Sequence, residues 1–510
     1  MSVATHREVE RKLRVHALFD VPDLRAVAAS VREVPTVRLT AIYHDTATLA
    51  LFRWGVTLRR REGGTDAGWH LKLPVAGADG SARDELRLPL DAGAVGSVPA
   101  ALVEIVAPLL RDQPLRPVVS LETDRTARLL ADAEGRELVE VVDDIVTVLR
   151  EGRTVSMFRE LEVEAVDADD PDALALLDRV VAVLRAAGGE PSSVSKAAGA
   201  LGPRAAAPPD VPAAPTPDPD GLAVDALRAV FSEHVRHLLF ADVAVRRDLP
   251  DSVHQMRVAA RRLRSTLRTF APLLLPEAAD PLRAELKWLA SELGVIRDTE
   301  VMISRLDLHA GLLADEADTA RARAAVDAFL DRRLHAARAS ALAALRSDRH
   351  AQLVEDLVVA ATDPPVTDAA FVPCREALPP LVATTWRRLA RSVAGLDLTG
   401  PSPQWHAARI VAKRARYAAD AVADVFGPHM AAHARSLANV TELLGDHQDA
   451  HVAQQIVREV ATDAHTDGAT GLALGLLHQV EVEQEALDRR RFLAYWPKAV
   501  ARARKAGVRR

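Results

Sequence analysis

The chain has 510 residues, 27% of them charged, with a formal net charge of −6. That length carries a prior of about three domains and suffices for more than one core, and any strongly basic segment is a local feature on a mildly acidic protein. One cysteine, Cys374, excludes an intrachain disulfide framework; with no signal-peptide pattern and no run of roughly 18 apolar residues, a cytoplasmic protein without a membrane span is expected.

Residues before position 203 follow mostly a period of two. Apolar and charged residues alternate over 8–15, 56–61, 69–73, 85–88, 138–148 and 158–166, with turns at Glu62-Gly63-Gly64 and Gly77–Gly80. This predicts short antiparallel strands, with helices near 22–33, 98–110 and 171–187. The stretch PRAAAPPDVPAAPTPDPDG over 203–221 holds seven prolines. It reads as a semi-rigid linker between a domain at 1–202 and another at 222–510.

After the linker the period becomes 3.6, over 222–248, 252–271, 281–295, 317–346, 375–394, 404–425 and 470–488, and Ala, Leu and Arg dominate. This half is expected to be all helical. Pro272, Pro276 and Pro428 mark helix boundaries.

Two stripes of cations stand out in the helical half. His254, Arg257, Arg261, Arg264 and Arg268 recur at helical spacing, and His406, Arg409, Lys413, Arg414 and Arg416 repeat the pattern 152 residues later. Like charges at these spacings repel, so an anion should compensate them. Each stripe is followed by a second signal, Leu293-Gly294 then Arg297-Asp298, and Leu444-Gly445 then Gln448-Asp449, at an offset of 151. A two-part signal at nearly one offset predicts a duplicated helical bundle with pseudo-twofold symmetry, and a polyanion as its ligand. Trp288, Trp386 and Trp405 are assigned to the core. With 4% aromatic residues, base stacking has little material, and nucleic acid is disfavoured.

In the strands, charges share one face and apolar residues the other. Glu8, Glu10 and Lys12 fall together, as do Arg59 and Arg61, His70 and Lys72, Arg83, Glu85 and Arg87, and Glu160, Glu162 and Glu164. Carboxylates gather on 8/10 and 160/162/164, cations on 59/61, 72 and 83/87. A half-exposed sheet could place all of these in water. A sheet closed into a barrel with its charges inside would instead set the two signs across a tunnel. Arg and Lys there suit phosphate oxygens, and the carboxylates suit Mg²⁺ or Mn²⁺. No P-loop glycine pattern is present.

These motifs resemble the CYTH superfamily, the triphosphate tunnel metalloenzymes. The resemblance runs from Glu8-Val9-Glu10-Arg11-Lys12 through Tyr43–Thr46, Leu58–Arg61, Leu71–Pro74, Arg83–Arg87, Asp143, Glu160–Glu164 and Ser195-Lys196. It implies an eight-stranded antiparallel tunnel with surrounding helices, an α+β domain that binds triphosphate with divalent metal. It further implies phosphate contacts from Lys12, Arg59, Arg61, Lys72, Arg87, Arg125 and Lys196, and metal ligation by Glu8, Glu10, Asp143, Glu160 and Glu162. Lys72 would also stabilise the leaving phosphate, with Glu8 and Glu10 the other catalytic groups. Asp144 competes with Asp143 by one register step, which reverses the side chain's face; Arg128 lies close to Arg125. Ala197 departs from the aromatic that follows Ser-Lys in many relatives.

The duplicated stripes resemble the CHAD family, helical domains that often follow a CYTH domain. That resemblance implies binding of inorganic polyphosphate in a basic channel without catalysis; a scaffolding role would place the chain on polyphosphate or polyphosphate-bearing granules. The contacts would be Arg257, Arg261, Arg264, Arg268, Lys287 and Arg297 in one half, and Arg409, Lys413, Arg414 and Arg416 in the other, with His254 and His406 hydrogen-bonding phosphate or orienting an arginine. The expected protein is a metal-dependent triphosphatase joined to a polyphosphate-binding domain. A non-catalytic polyphosphate scaffold and a class IV-type adenylate cyclase are the alternatives.

Overall fold

The computed structural model describes residues 4–508 except 76–81, 93–96, 151, 193 and 463–466, with the side chains of residues 4–8 also outside the description. The chain divides into two units, Met1–Asp210 and Val211–Arg510.

In the first unit ten strands form one antiparallel sheet among the described residues: β1 (Ala4–Val15), β2 (Ser30–Glu33), β3 (Val37–Asp45), β4 (Thr57–Glu62), β5 (Gly68–Pro74), β6 (Ala82–Leu88), β7 (Arg116–Ala131), β8 (Glu137–Arg150), β9 (Arg153–Ala165) and β10 (Glu190–Ser192). Eight of them close a barrel in the order β1-β6-β5-β4-β3-β7-β8-β9, with β9 returning to β1. Helices α1 (Ala50–Arg53), α2 (Ala100–Leu110), α3 (Pro171–Ala186) and α4 (Lys196–Leu201) accompany it.

Alternation explains the closure. Leu13, Leu161, Val163, Val139 and Val141 point outward and bury against Leu176, Leu177, Val180 and Leu184 of α3, each contributing about 1.5–3 kcal/mol. α3 begins where Asp170 caps the Asp172 N–H and Pro171 follows at the first helical position. The opposite, lumenal faces carry the charges.

The segment 22–33, expected to be a helix, is a short 3-10 turn (Leu24–Ala26) followed by β2. The 16-residue β7 outruns its partner β3, and β2 pairs with the exposed continuation, Val31 opposite Leu130. Sheet pairing overrides the local pattern here. The proline-rich segment is also more ordered than bare linker: Arg53 donates to the Pro208 carbonyl at 2.7 Å and Trp54 to Asp210 at 3.0 Å in the first unit. Ser232 and Arg236 hold the carbonyls of Pro212 and Val211 in the second.

The second unit is helical: α5 (Ala223–Arg246), α6 (Ser252–Thr269), α7 (Pro276–Ala310), α8 (Glu316–Leu345), α9 (Asp348–Thr362), α10 (Cys374–Ala394), α11 (Ser402–Asp420), α12 (Ala423–Phe426), α13 (Pro428–Ala461) and α14 (Gly468–Lys505). Packing runs α5-α6-α7-α8 in one half and α10-α11-α13-α14 in the other, and α6 meets α11. The stripe helices thus meet between the two repeats, which also share an apolar core where α7 and α8 pack against α13 and α14. Pro276 and Pro428 open the two long helices α7 and α13. The helix expected over 281–295 belongs to α7, which is 35 residues long. Trp386 and Trp405 are buried in aromatic clusters with Trp496, Phe492, His433 and His447, and Trp288 lies half-buried beneath Arg349.

Candidate functional site

Strand order converts the sign segregation of the sequence into two walls. β4, β5 and β6 are adjacent and bring Arg59, Arg61, Lys72 and Arg87 to one side of the lumen; β8, β9 and β1 are adjacent and bring Asp144, Glu160, Glu162 and Glu10 to the other. Glu8 lies in β1 with its backbone opposite Arg83; its side chain falls outside the described residues.

Cations set into the acidic wall bind it together. Lys196 Nζ lies 2.9 Å from Asp144, 2.9 Å from Glu160 and 2.7 Å from Glu162. Lys12 Nζ lies 2.9 Å from Glu162 and 3.3 Å from Glu10. Arg125 forks onto Asp144 at 2.9 and 2.7 Å and reaches Glu162 at 3.2 Å. Burial opposes charge at every one of these groups, and at all but Glu160 the pairing wins. Lys12, Arg125 and Lys196 are raised. Glu162, beside Lys12 and Lys196, falls well below the carboxylate range, and Glu10 and Asp144 are also lowered. Glu160 moves the other way: burial raises it against Lys196, and the Glu162 charge adds to the rise.

The cationic wall has fewer counter-ions. Buried Glu85 receives His70 at 2.9 Å, Lys72 at 3.7 Å, Arg59 at 3.9 Å, and Arg87. Despite burial its pKa is driven far down, first by the His70 hydrogen bond and then by Lys72. Arg59 also donates to the Tyr43 hydroxyl at 3.2 Å. Arg61 pairs with Asp66, yet burial and the charges of Arg59 and Arg125 push it down to about 9. Guanidiniums that repel one another in a buried lumen would be relieved by an anion placed between them.

Two register questions resolve here. Asp144, not Asp143, faces the lumen. Asp144 stands opposite Arg125 and Glu160, whereas Asp143 turns outward and is held by Arg159 at 2.8 and 2.7 Å. Asp143, expected among the metal ligands, therefore lies on the outer face and its neighbour Asp144 takes the lumenal position, because one step along a strand reverses the face. Likewise Arg125 is lumenal, and Arg128 pairs with Glu33 at 3.0 Å.

Other motif residues build the scaffold. Asp45 accepts from the N–H groups of Thr46, Leu51 and Phe52 at 2.6–2.9 Å and so fastens α1 to β3. Ser195 caps α4 by accepting from the Ala198 N–H at 3.2 Å, which starts the helix at Lys196 and fixes that lysine toward the acidic wall. Beyond the charged belt the lumenal face turns apolar at Ala41, Tyr43, Leu121, Val146 and Val148, and Ala197 packs against them. A small residue fits this plug.

The carboxylates fit Mg²⁺ or Mn²⁺ by donor chemistry. They are anionic oxygens from three adjacent strands, and three of them already converge on one cationic centre, the Lys196 ammonium.

In the helical unit the first arginine of each stripe occupies the notch of its own Gly signal. Arg257 donates to the Gly294 carbonyl at 3.0 Å and to Asp298 at 2.8 Å; Arg409 lies against Gly445 and 3.9 Å from Asp449. Across the α6–α11 contact, Arg257, Arg261, Arg409 and Lys413 come together. Burial and the charges of Arg409, Arg261 and Arg257 push Lys413 down to about 7, and burial with Arg257 and Arg409 lowers Arg261. Arg264 and Arg414 are lowered by burial and by Arg268. Other predicted contacts are engaged elsewhere: Arg416 with Thr441 at 3.1 Å and Asp420 at 3.5 Å, and Arg297 with Asp251 at 3.8 Å and Glu300 at 3.7 Å. Lys287 is exposed, on the α7 stripe that holds Gly294. His406 bonds Gln448 at 2.6 Å; His254, lowered by burial and Arg297, stands beside the first stripe. Sequence reading missed a cluster on α5, Glu233, His234 and His237, because its spacing resembles any polar helix face.

Comparison with known proteins matches residues 6–197 to the CYTH domain and 229–458 to the CHAD domain. An uncharacterised protein of Mycobacterium tuberculosis, found in strains CDC 1551 / Oshkosh and ATCC 25618 / H37Rv, is 35% identical over 499 residues, 94% of each chain. Among solved structures, PptA from Streptomyces chartreusis is 25% identical, covering 54% of this chain and 100% of its own, with a TM-score of 0.48. The CHAD domain from the plant Ricinus communis is 26% identical, covering 55% and 94%, with a TM-score of 0.45. With both domain models matched in order and the relative aligned along nearly its full length, the chain belongs to the CYTH–CHAD proteins, a CYTH domain followed by a CHAD domain.

Proposed function

We propose that the CYTH domain is a divalent-metal-dependent triphosphatase acting on inorganic triphosphate or a related tripolyphosphate compound, and that the CHAD domain binds inorganic polyphosphate. The opposed walls of the barrel carry the first half of this reading. A triphosphate needs cations along its length, and Arg59, Arg61, Lys72, Arg87 and Arg125 supply them from β4 to β7. Glu10, Asp144, Glu160 and Glu162 (with Glu8 by motif) would hold Mg²⁺ or Mn²⁺, which when bound neutralises phosphate charge and makes water a better nucleophile.

The remaining steps belong to the chain. Lys12 and Lys196, each shared between carboxylates, exchange those partners for phosphate oxygens when substrate enters. The guanidinium forks fix the phosphate chain in line. Lys72, between Glu85 and the lumen, offsets charge developing on the departing phosphate. The apolar plug of Ala41, Tyr43 and Ala197 limits water at one end of the lumen.

The converging stripe cations carry the second half: among the described residues Arg261 and Lys413 have no ion pair within 4.0 Å to balance them. The deciding experiment is phosphate release from triphosphate, long polyphosphate, ATP and thiamine triphosphate, each with Mg²⁺, Mn²⁺ or chelator. Metal-dependent release that collapses in Glu10→Gln and Glu160→Gln is expected. Full activity in either variant overturns the assigned site, and cyclic AMP from ATP without phosphate release assigns the tunnel to a cyclase.

A further inference from the structure

α5 turns a set of donors toward a cavity of about 440 Å³ in the helical unit. One donor atom from each of Glu233, His234 and His237 lies within 4.8 Å of the others. The Nδ1 atoms of His234 and His237 are 3.7 and 3.9 Å from Glu233 Oε1. A tetrahedron with bonds of about 2.1 Å has an edge of about 3.4 Å, so small rotations of the exposed Glu233 and His237 close the set. His234 is 6% exposed, and its Nδ1 has no hydrogen-bond partner. A buried ring nitrogen is rarely left this way without a purpose.

We propose that Glu233, His234 and His237 bind one divalent transition metal of the zinc class. Two imidazole nitrogens and one carboxylate select zinc over magnesium, which separates this site chemically from the all-oxygen donors of the barrel. Three protein ligands leave a position open to the cavity. Asp420 and Asp424 line the same cavity, as do Arg236 and Arg262; Asp420 has Arg416 and then Arg262 as counter-charges, which leaves Asp424 and Glu233 to favour a cation there.

The test uses untagged full-length protein equilibrated with zinc in excess magnesium, with bound metal measured after desalting and the melting temperature followed with and without zinc. One zinc per chain and a raised melting temperature are expected. His237→Ala and Glu233→Ala each weaken binding by at least about tenfold, since outer partners of a ligand alone cost about 10- to 100-fold. Both residues are exposed, so folding survives their loss, and cobalt in place of zinc should show tetrahedral visible bands that vanish in the double variant. No retained zinc, or equal zinc in the Glu233→Ala/His237→Ala double variant, overturns the proposal.

Discussion

Polyphosphate affinity is expected to fall as pH rises above 7, because of Lys413. That side chain sits half-buried on α11, beside Arg409 of its own helix and Arg257 and Arg261 of α6, with Asp449 of α13 the facing acid. Burial and the three guanidiniums hold its pKa at about 7. A phosphate chain laid across the cluster reverses the local field and returns the ammonium toward its ordinary range near about 10. The complex then carries more protons than the free protein, so affinity drops with pH. For a shift from about 7 to about 10, linkage gives a loss of about fivefold between pH 7 and 8 and about eightfold more between 8 and 9, with little change below 6. Calorimetry on the full chain, with chelator to prevent turnover, reads this directly. Two buffers of different ionisation enthalpy should report uptake of about 0.9 proton at pH 8. Lys413→Arg keeps the charge and removes the titration, so its profile should be flat over this range. Equal affinity at pH 7 and 9, or the same slope in Lys413→Arg, would refute the reasoning.

Asp144→Asn should lower metal-dependent phosphate release by about 100-fold or more, as expected for a metal ligand, whereas Asp143→Asn should leave turnover near the parent value; steady-state phosphate assays on both variants separate lumenal from outward register. Asp45→Ala removes the acceptor of three backbone N–H groups at α1 and should destabilise the CYTH domain by about 2 kcal/mol, read from urea unfolding. Gly294→Leu should displace Arg257 from its notch, since even a Cβ there would stand 3.7 Å from the guanidinium, and weaken polyphosphate binding severalfold with the fold intact by circular dichroism. Binding should also fall log-linearly with salt, with a slope that shrinks by about one for each stripe arginine replaced by glutamine.

Period-two alternation anticipated an antiparallel sheet with its charges on one face, the resemblance of its motifs supplied the closure into a barrel, and the stripes with their Leu-Gly echoes anticipated the duplicated bundle. What escaped was whatever depends on partners distant in sequence. Residues 22–33 look locally like a helix, and become a 3-10 turn and a short strand, Ser30–Glu33, because β7 has backbone groups to satisfy beyond β3. Asp143 and Asp144 are chemically identical neighbours, and the pleat alone tells them apart. Arg128 could substitute for Arg125 in any composition argument; Glu33, brought in by β2, claims it. The closing of Glu233, His234 and His237 onto a cavity needs α11 and α12 for its far wall, and no local pattern announces that. The separation of signs was legible because it repeats on several strands at once; the exact ligand set was not, because it rests on single-residue steps.

The notches of Gly294 and Gly445 have one more consequence. Each receives an arginine from its own repeat, Arg257 or Arg409, so on the proposed reading one polymer would meet a related cationic grip in each half. A nucleic acid strand has distinct 5′ and 3′ ends. An unbranched phosphate chain reads the same from either end, and the proposed polyphosphate ligand is expected to enter such a duplicated site in either sense.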